Sequence, residues 1–438
     1  MRRVERVYSA IVRRSPEAEG ELPEQQRADL AGNGLRLVLA STLQSSGDQT
    51  MKASTVLPWL FHALGVPAAL TGLLVPIRES GSMLPQAFLT PIILRFRQRK
   101  WLFVAGALVQ ALAVGIMALT AALGRGFPAG VVILGALTLF SLGRALGSIT
   151  SKDIQGRTIP KGERGQINGL STTASGLVVI TLGLGIRYFG GDDLSGGQIA
   201  WLLTAGALLW VAVAVVYAGI REPAGKPGPA PTEQGTWFAD MLHLLRTDRP
   251  FRNFVIARSL LLVSALSPPF IVTMAAQAGS DTLAGLGGYI IASGLAALLG
   301  GRIFGRLADR SSKGLMAAGS AVAAITIIAL VIIVSLPAFG GDGAGPAMVF
   351  IVAYFVLTLV HTGVRVARKT YVIDMAEGDM RTTYVAVSNS AMGLILLLVG
   401  ALSSTLAALG ITWSLLFLAG MGLLGTLFSS RLPAVSRG

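Results

Sequence analysis

The sequence predicts an all-α polytopic membrane protein with twelve transmembrane helices in two six-helix repeats, and three observations predict it. The 438-residue chain is 53% hydrophobic and only 13% charged, with a mean hydropathy of +0.66, and its apolar runs exceed the roughly 18 residues that read as a bilayer span. Six such runs lie on each side of a polar stretch from Arg221 to Arg252. A shift of 217 positions lays Lys152 on Lys369 and Arg164 on Arg381, each just after the fourth run of its half and before the fifth. With the matching number and order of spans, that correspondence reads as a parallel internal repeat.

In chain order, residues 1–34 form a charged N-terminal segment. Val4, Val7, Tyr8, Ile11 and Val12 make an apolar stripe against Arg2, Arg3, Arg6, Arg13 and Arg14, which fits either a basic helix at the membrane interface or a loosely ordered tail. It is not a signal peptide, because the apolar run begins only near Leu35 and no small-residue cleavage site follows a compact core. The first bundle, 35–220, holds spans Leu35–Leu64, Val66–Leu94, Trp101–Leu123, Phe127–Thr150, Gly165–Phe189 and Gln198–Ile220. The linker, 221–252, carries Pro223, Pro227, Pro229 and Pro231. Its Trp237, Phe238, Met241, Leu242, Leu244 and Leu245 recur at helical spacing, either for a helix on the membrane surface or for one packed on the protein's own underside. The second bundle, 253–430, holds Asn253–Ala278, Leu283–Phe304, Leu315–Phe339, Ala347–Val364, Thr382–Leu409 and Ile411–Ser429, and 431–438 is a tail.

The net charge of +14 does not indicate nucleic acid, because the basic residues sit in gaps between spans rather than on one polar face. Gaps on the terminal side hold Arg95, Arg97, Arg99 and Lys100, then Lys152, Arg157, Lys161 and Arg164. In the second half they hold Arg306, Arg310 and Lys313, then Arg365, Arg368, Lys369 and Arg381. Opposite gaps hold Arg125 and Arg187 with Asp192, Asp193, Asp281 and Asp342. The positive-inside rule therefore puts both termini and the linker in the cytoplasm, and the expected home is a bacterial inner membrane. The absence of cysteine excludes disulfide and thiol chemistry. The 54 glycines suit close helix packing in lipid, as in Gly143-x-x-x-Gly147 and Gly301-x-x-x-Gly305.

The chemistry is expected inside the bilayer. Asp48 lies about 20 Å into the first span, with Lys52 one turn further on the same helical face, and Arg78 and Glu79 reach similar depth from the other side. A charge at the helix centre costs about 2.5–3.5 kcal/mol on insertion scales, so these four must pair or face water. Two readings stay open. Asp48 with Lys52 and Arg78 with Glu79 neutralise each other locally, although adjacent Arg78 and Glu79 point in different directions; or an acid carries a coupling proton while a base holds solute. Gln44, Ser45, Ser46 and Gln49 add hydrogen-bonding capacity, and Gly47 could let the helix loosen. Arg144, Arg258 and His361 are further candidates, with snorkelling to the interface the alternative for Arg258 and a helix-to-helix hydrogen bond the alternative for His361. Trp59, Phe61 and Trp413 are expected at the outer interface. No H-E-x-x-H motif, cysteine, or nucleophile and base pair is present, so neither an embedded enzyme nor a cofactor or metal site is expected.

Gly305-Arg306-Leu307-Ala308-Asp309-Arg310-Ser311-Ser312-Lys313 resembles the G-x-L-a-D-R-x-G-R-[RK] loop of the major facilitator superfamily, and Pro160-Lys161-Gly162-Glu163-Arg164-Gly165 resembles its P-x-x-x-R-G loop. Ser312 departs from the first pattern. The equivalent first-half loop, Pro91 to Lys100, keeps only the basic end, with Arg95 where the acid is expected. Arg144-x-x-x-Ser148 is similar to the R-x-x-x-G element of the superfamily's proton-coupled exporters. The resemblance implies a secondary transporter working by alternating access, with Gly305, Asp309, Arg310 and Arg164 in gating loops. A carboxylate at a helix end between arginines can hold one arrangement of two halves and release it in the other. The partners implied are a small-molecule solute and membrane lipid, with a monomer expected. Bases outnumber acids among the deep candidates, which favours an anionic or zwitterionic solute. Proton-driven efflux of cationic or lipophilic compounds is the alternative, ahead of a receptor or embedded enzyme.

Overall fold

A computed structural model describes residues 2–12, 14, 19–20, 22–85, 89, 93, 95–160, 163–189, 196–223, 237–278, 286–336, 339, 344–375 and 380–435. The side chains of Arg164, Gly305, Arg306, Asp309 and Arg310 lie outside the described residues, as do those of Trp237, Phe238 and Met241. The helices are α1 Arg2–Ile11, α2 Glu24–Thr50, α3 Val56–Ala63, α4 Ala68–Thr71, α5 Leu74–Met83, α6 Lys100–Leu123, α7 Gly126–Thr158, α8 Arg164–Phe189 and α9 Gly196–Ala218. They continue as α10 Trp237–Thr247, α11 Arg249–Leu260, α12 Val263–Gln277, α13 Leu286–Val334, α14 Ala344–Met375, α15 Met380–Leu409 and α16 Ile411–Ser430. Among the described residues, eight stretches are long and apolar enough to cross a membrane, and Gly176–Gly185 and Leu286–Gly300 are shorter apolar helices.

Four of the twelve expected spans are not among the eight: the fifth and eighth are represented by those shorter apolar helices, and the first two are each broken. The first begins eleven residues before Leu35, at Glu24, and its polar opening is tied down: Asn33 exchanges hydrogen bonds with the backbone of Arg221 at 3.0 and 2.9 Å, and Asp29 pairs with the Arg221 guanidinium at 2.7 Å. It then stops at Thr50, and Met51–Thr55 is non-helical before α3 resumes. Hydroxyls of Thr42, Ser46 and Thr50 bond back to carbonyls of their own helix, a pattern that weakens and bends helices. The second span is divided into α4 and α5 at Gly72–Leu73. Spans 4 and 10 run further than their apolar stretches, to Thr158 and Met375, so that Lys152, Arg365 and Arg368 are helical rather than in loops. Spans 8 and 9 have no loop between them. Their helices meet in α13 at one non-helical residue, Ser311, whose hydroxyl accepts from the Gly314 amide at 3.1 Å, an N-cap for the returning helix.

Within the first half, α6 packs on α7 and α9, α2 on α9 and α8, and α5 on α7; within the second, α13 packs on α14 and α16, and α12 on α14. The α6–α7 contact is close because a Cβ on Gly106 would sit 2.8 Å from the Gly143 carbonyl, which is the use of small residues where backbones touch in lipid. The halves meet along α8 with the first part of α13, along α4 and α5 with α15, and along α3 with α12. Their apolar cores are continuous on the side away from the chain ends. A separate cluster of Phe251, Phe254, Tyr371, Val372 and Leu432 belongs to the second half alone, on the terminal face.

Leu244 and Leu245 of α10 pack against that second cluster, so for these residues the helix lies on the protein's underside. Tyr8 of α1 and Val12 just after it are buried, while Val4, Val7 and Ile11 are exposed. The Tyr8 hydroxyl donates to Glu163 at 2.6 Å, tying α1 to the turn before α8. Burial, followed by the Glu163 bond, raises the Tyr8 phenol well above its ordinary value, so it remains a donor. Trp59 and Phe61 are buried rather than interfacial, with Trp59 tilted against Tyr289 at 6.4 Å, whereas Trp101, Trp201 and Trp413 are exposed.

Candidate functional site

The break after Thr50 is what shapes the site. Asp48 lies in the last turn of α2 and Lys52 lies beyond the helix, where its carbonyl accepts from the amides of Thr55 and Leu57 at 3.1 and 3.2 Å. The two side chains therefore do not share a helical face, and Lys52 has no acidic partner within ion-pair distance among the described residues. Asp48 turns to other helices. One oxygen accepts from Arg78 of α5 at 3.2 Å, and the other pairs with Arg144 of α7 at 2.9 Å. The Arg78 guanidinium also reaches Glu79 at 3.5 Å, because a long side chain can fold back towards its neighbour even when the two Cα–Cβ vectors diverge. With its carbonyl turned inward, Gln44 accepts from Arg144 as well.

Aromatic rings support both guanidiniums: Phe140 lies 5.6 Å beneath Arg78, and Trp210 lies 5.8 Å beneath Arg144, positions that favour cations over a ring face. Trp210 needs Gly47 for this. A Cβ at Gly47 would lie 2.8 Å from the indole nitrogen, so this glycine admits the ring and is not where the helix loosens.

Across the cavity stand the groups of the second half. Arg258 of α11 is buried and does not snorkel. It donates to Ser388 at 2.8 Å and Asn389 at 2.9 Å, both on α15. His361 of α14 shares a 3.3 Å hydrogen bond with Ser264 of α12. Arg365 and Arg368 follow His361 along α14 and face the same space.

Asp48, Lys52, Arg78, Glu79 and Arg144 together with these second-half groups border one cavity of about 910 Å³ between the halves, joined there by Gln49, Lys152 and Ser148. Its far end is closed by cross-half contacts, in which Thr55 and Tyr354 hydroxyls lie 3.0 Å apart and Ser404 bonds to the Ala69 carbonyl. From there the lining runs towards the terminal face through Lys152, Arg368 and Val372. The structure thus brings together Asp48, Gln49, Lys52, Arg78, Glu79, Arg144, Arg258 and His361. The sequence reading missed Lys152, Arg365 and Arg368 as lining residues because it assigned them to loops. A signal was present: His361, Arg365 and Arg368 fall at i, i+4 and i+7, one face of a helix if the helix continues beyond its apolar stretch.

Helices that cross a membrane in two groups, with a charged cavity between them closed at one end, define a membrane carrier rather than an enzyme. The chain belongs to the major facilitator superfamily: the model of that family matches residues 38–341. Similar solved structures include a D-xylose–proton symporter, 13% identical over 92% of this chain and 98% of the other with a TM-score of 0.67. The nucleoside transporter NupG is 14% identical over 91% and 98%, with a TM-score of 0.61. A POT family transporter solved with a thioalcohol-conjugated peptide is 11% identical over 90% and 94%, with a TM-score of 0.68. At these identities the likeness is one of fold. No curated protein matches the chain.

Proposed function

We propose that the protein is a secondary active transporter that moves a small organic anion or zwitterion by alternating access, coupled to protons through Asp48. One observation carries the charge preference: among the described residues, seven lysine and arginine side chains line the cavity, namely Lys52, Arg78, Arg144, Lys152, Arg258, Arg365 and Arg368, against the carboxylates Asp48 and Glu79. A cation would enter that excess at a cost, and an anion relieves it. Proton coupling follows from the Asp48 bridge. While ionised, Asp48 occupies Arg78 and Arg144; once protonated it releases them to the solute, so proton and anion enter the cycle together. In this reading the closed far end is the outer side and the cavity leads to the cytoplasm, an orientation supported by the Lys/Arg bias of the loops. Residue 309, two positions before the reversal at Ser311, belongs to the element that would move as the halves rock.

Uptake into proteoliposomes under an inward proton gradient tests the reading, with labelled organic anions, zwitterions and cations of matched size. Anion or zwitterion accumulation that collapses with a protonophore is expected. Accumulation of cations alone would overturn it.

A further inference from the structure

The seven cations are not distributed evenly with respect to the acids. Arg78 and Arg144 are engaged by Asp48, with Glu79 also against Arg78, so the two arginines of the first half have carboxylate partners while Lys52 and Lys152 remain as its excess charge. The second half contributes Arg258, Arg365 and Arg368 and, among the described residues, no lining carboxylate. These three form a set by position: Arg365 and Arg368 lie on the α14 face that His361 begins, and Arg258 faces the same cavity from α11. Arg258 has its terminal nitrogens on neutral Ser388 and Asn389, and its buried Nε has no hydrogen-bond partner among the described residues.

Guanidiniums that line one cavity with no ion pair among the described residues repel, and arginine does not escape by losing its proton. A ligand that neutralises them recovers that cost, and one carrying two or more negative charges recovers more of it than a monoanion. Guanidinium geometry suits a phosphate or carboxylate, whose oxygens accept two parallel N–H bonds. Serine and asparagine hold Arg258 in place without neutralising it. His361, one turn before Arg365 and bonded to Ser264, adds a polar group to the same wall.

We infer that Arg258, Arg365 and Arg368 form a seat for a multiply charged anionic group, so that the solute is a phosphate ester or a dicarboxylate rather than a simple monoanion. This rests on the anionic reading of the cavity and narrows it. The seat holds the charged head, while Lys52 and the arginines released by Asp48 meet the remainder of the solute from the opposite wall.

The full-length purified protein is titrated at constant ionic strength with sulfate and inorganic phosphate as divalent probes and with chloride and acetate as monovalent ones. Thermal stability and intrinsic tryptophan fluorescence are read in each titration. The divalent probes are expected to bind at least tenfold more tightly than the monovalent ones. Arg365→Gln combined with Arg368→Gln, which breaks no described hydrogen bond, is expected to reduce that ratio to within twofold, whereas Arg125→Gln, outside the cavity lining, leaves it above fivefold. Monovalent probes binding as tightly as divalent ones, or a ratio that survives the double substitution, overturns the seat while leaving an anion transporter in place. Stabilisation by none of the anions overturns both the seat and the anionic reading beneath it.

Discussion

Replacing Asp48 by asparagine separates the pairing seen in the structure from the one that helical spacing implies. Asp48 is 17% exposed, and it bridges Arg78, 17% exposed, at 3.2 Å and Arg144, 24% exposed, at 2.9 Å. Solvent screening of these pairs is therefore limited. Removing one partner of a buried ion pair costs about 3–5 kcal/mol. Because the cavity admits water, the lower end applies here, and Asp48→Asn is expected to cost about 3 kcal/mol. Contacting charges couple by about 0.5–3 kcal/mol in double-mutant cycles. The cycle of Asp48→Asn with Arg144→Gln should accordingly show coupling above about 1 kcal/mol, while the cycle with Lys52→Gln stays below about 0.5 kcal/mol.

Thermal and denaturant unfolding of the purified variants gives these values, and proteoliposomes give the second readout. Asp48→Asn should abolish solute accumulation driven by a pH gradient yet retain solute exchange across the membrane. Coupling to Lys52 as large as that to Arg144 would refute the geometry. Undiminished pH-driven accumulation would refute the proton role. Restored stability and pH-driven transport together in the Asp48→Asn, Arg144→Gln double variant would reduce Asp48 to a counter-ion.

Three further outcomes are expected. Gly47→Ala forces a methyl to within 2.8 Å of the Trp210 indole nitrogen and should lower stability by about 1–3 kcal/mol, as overpacking does, in a thermal melt; Trp210→Phe in the same chain should recover part of the loss. The Arg14 hydrogen bond, ahead of the opposing effect of burial, holds the Glu19 carboxyl below its ordinary range. A carboxyl held low stabilises above that range and loses the contribution as pH falls through the lowered value, so protease cutting within residues 2–20 should increase on acidification. Arg14→Gln should move that transition to higher pH. Because the chain has no cysteine, a cysteine replacing Arg125, which avoids the positive φ of Gly126, should react with an impermeant reagent outside intact cells, whereas one at Gly228 should not; the opposite pattern reverses the orientation.

Hydropathy carried the fold, because lipid demands long apolar helices whatever the rest of the chain does. It also set the limits of what could be read. The polar run Gln44–Thr55 interrupts the hydropathy of the first span, but polarity alone does not tell a charged cavity lining from a helix end, and nothing at Gly72 marks the second break; on an unbroken helix, Asp48 pairs with Lys52 by i, i+4 spacing. Its actual partners come from α5 and α7, and no local pattern encodes such contacts. At the other boundary, the end of an apolar stretch was equated with the end of a helix. Arg365 and Arg368 were then counted as loop charges that orient the chain, although they continue the His361 face of α14 into the cavity. The deep charges themselves were legible, since an ionisable residue in a bilayer span draws attention by its cost alone.

The two halves repeat in span order but have diverged in charge, and that divergence bears on how a carrier of this kind would cycle. In the first half, the end of α2 brings Asp48 between Arg78 of α5 and Arg144 of α7, so on the proposed reading the charge of that wall changes by one when a proton arrives. In the second half, α11 and α14 present arginines that no described carboxylate engages, so that wall keeps its charge until a solute anion neutralises it. Closing the cavity from water is costly while either wall carries unpaired charge. On the proposed anion–proton reading, the arrangement that closes most readily is the one with an anion on the second wall and the first wall's arginines freed for that anion by a protonated Asp48, which would tie translocation to simultaneous occupancy by solute and proton.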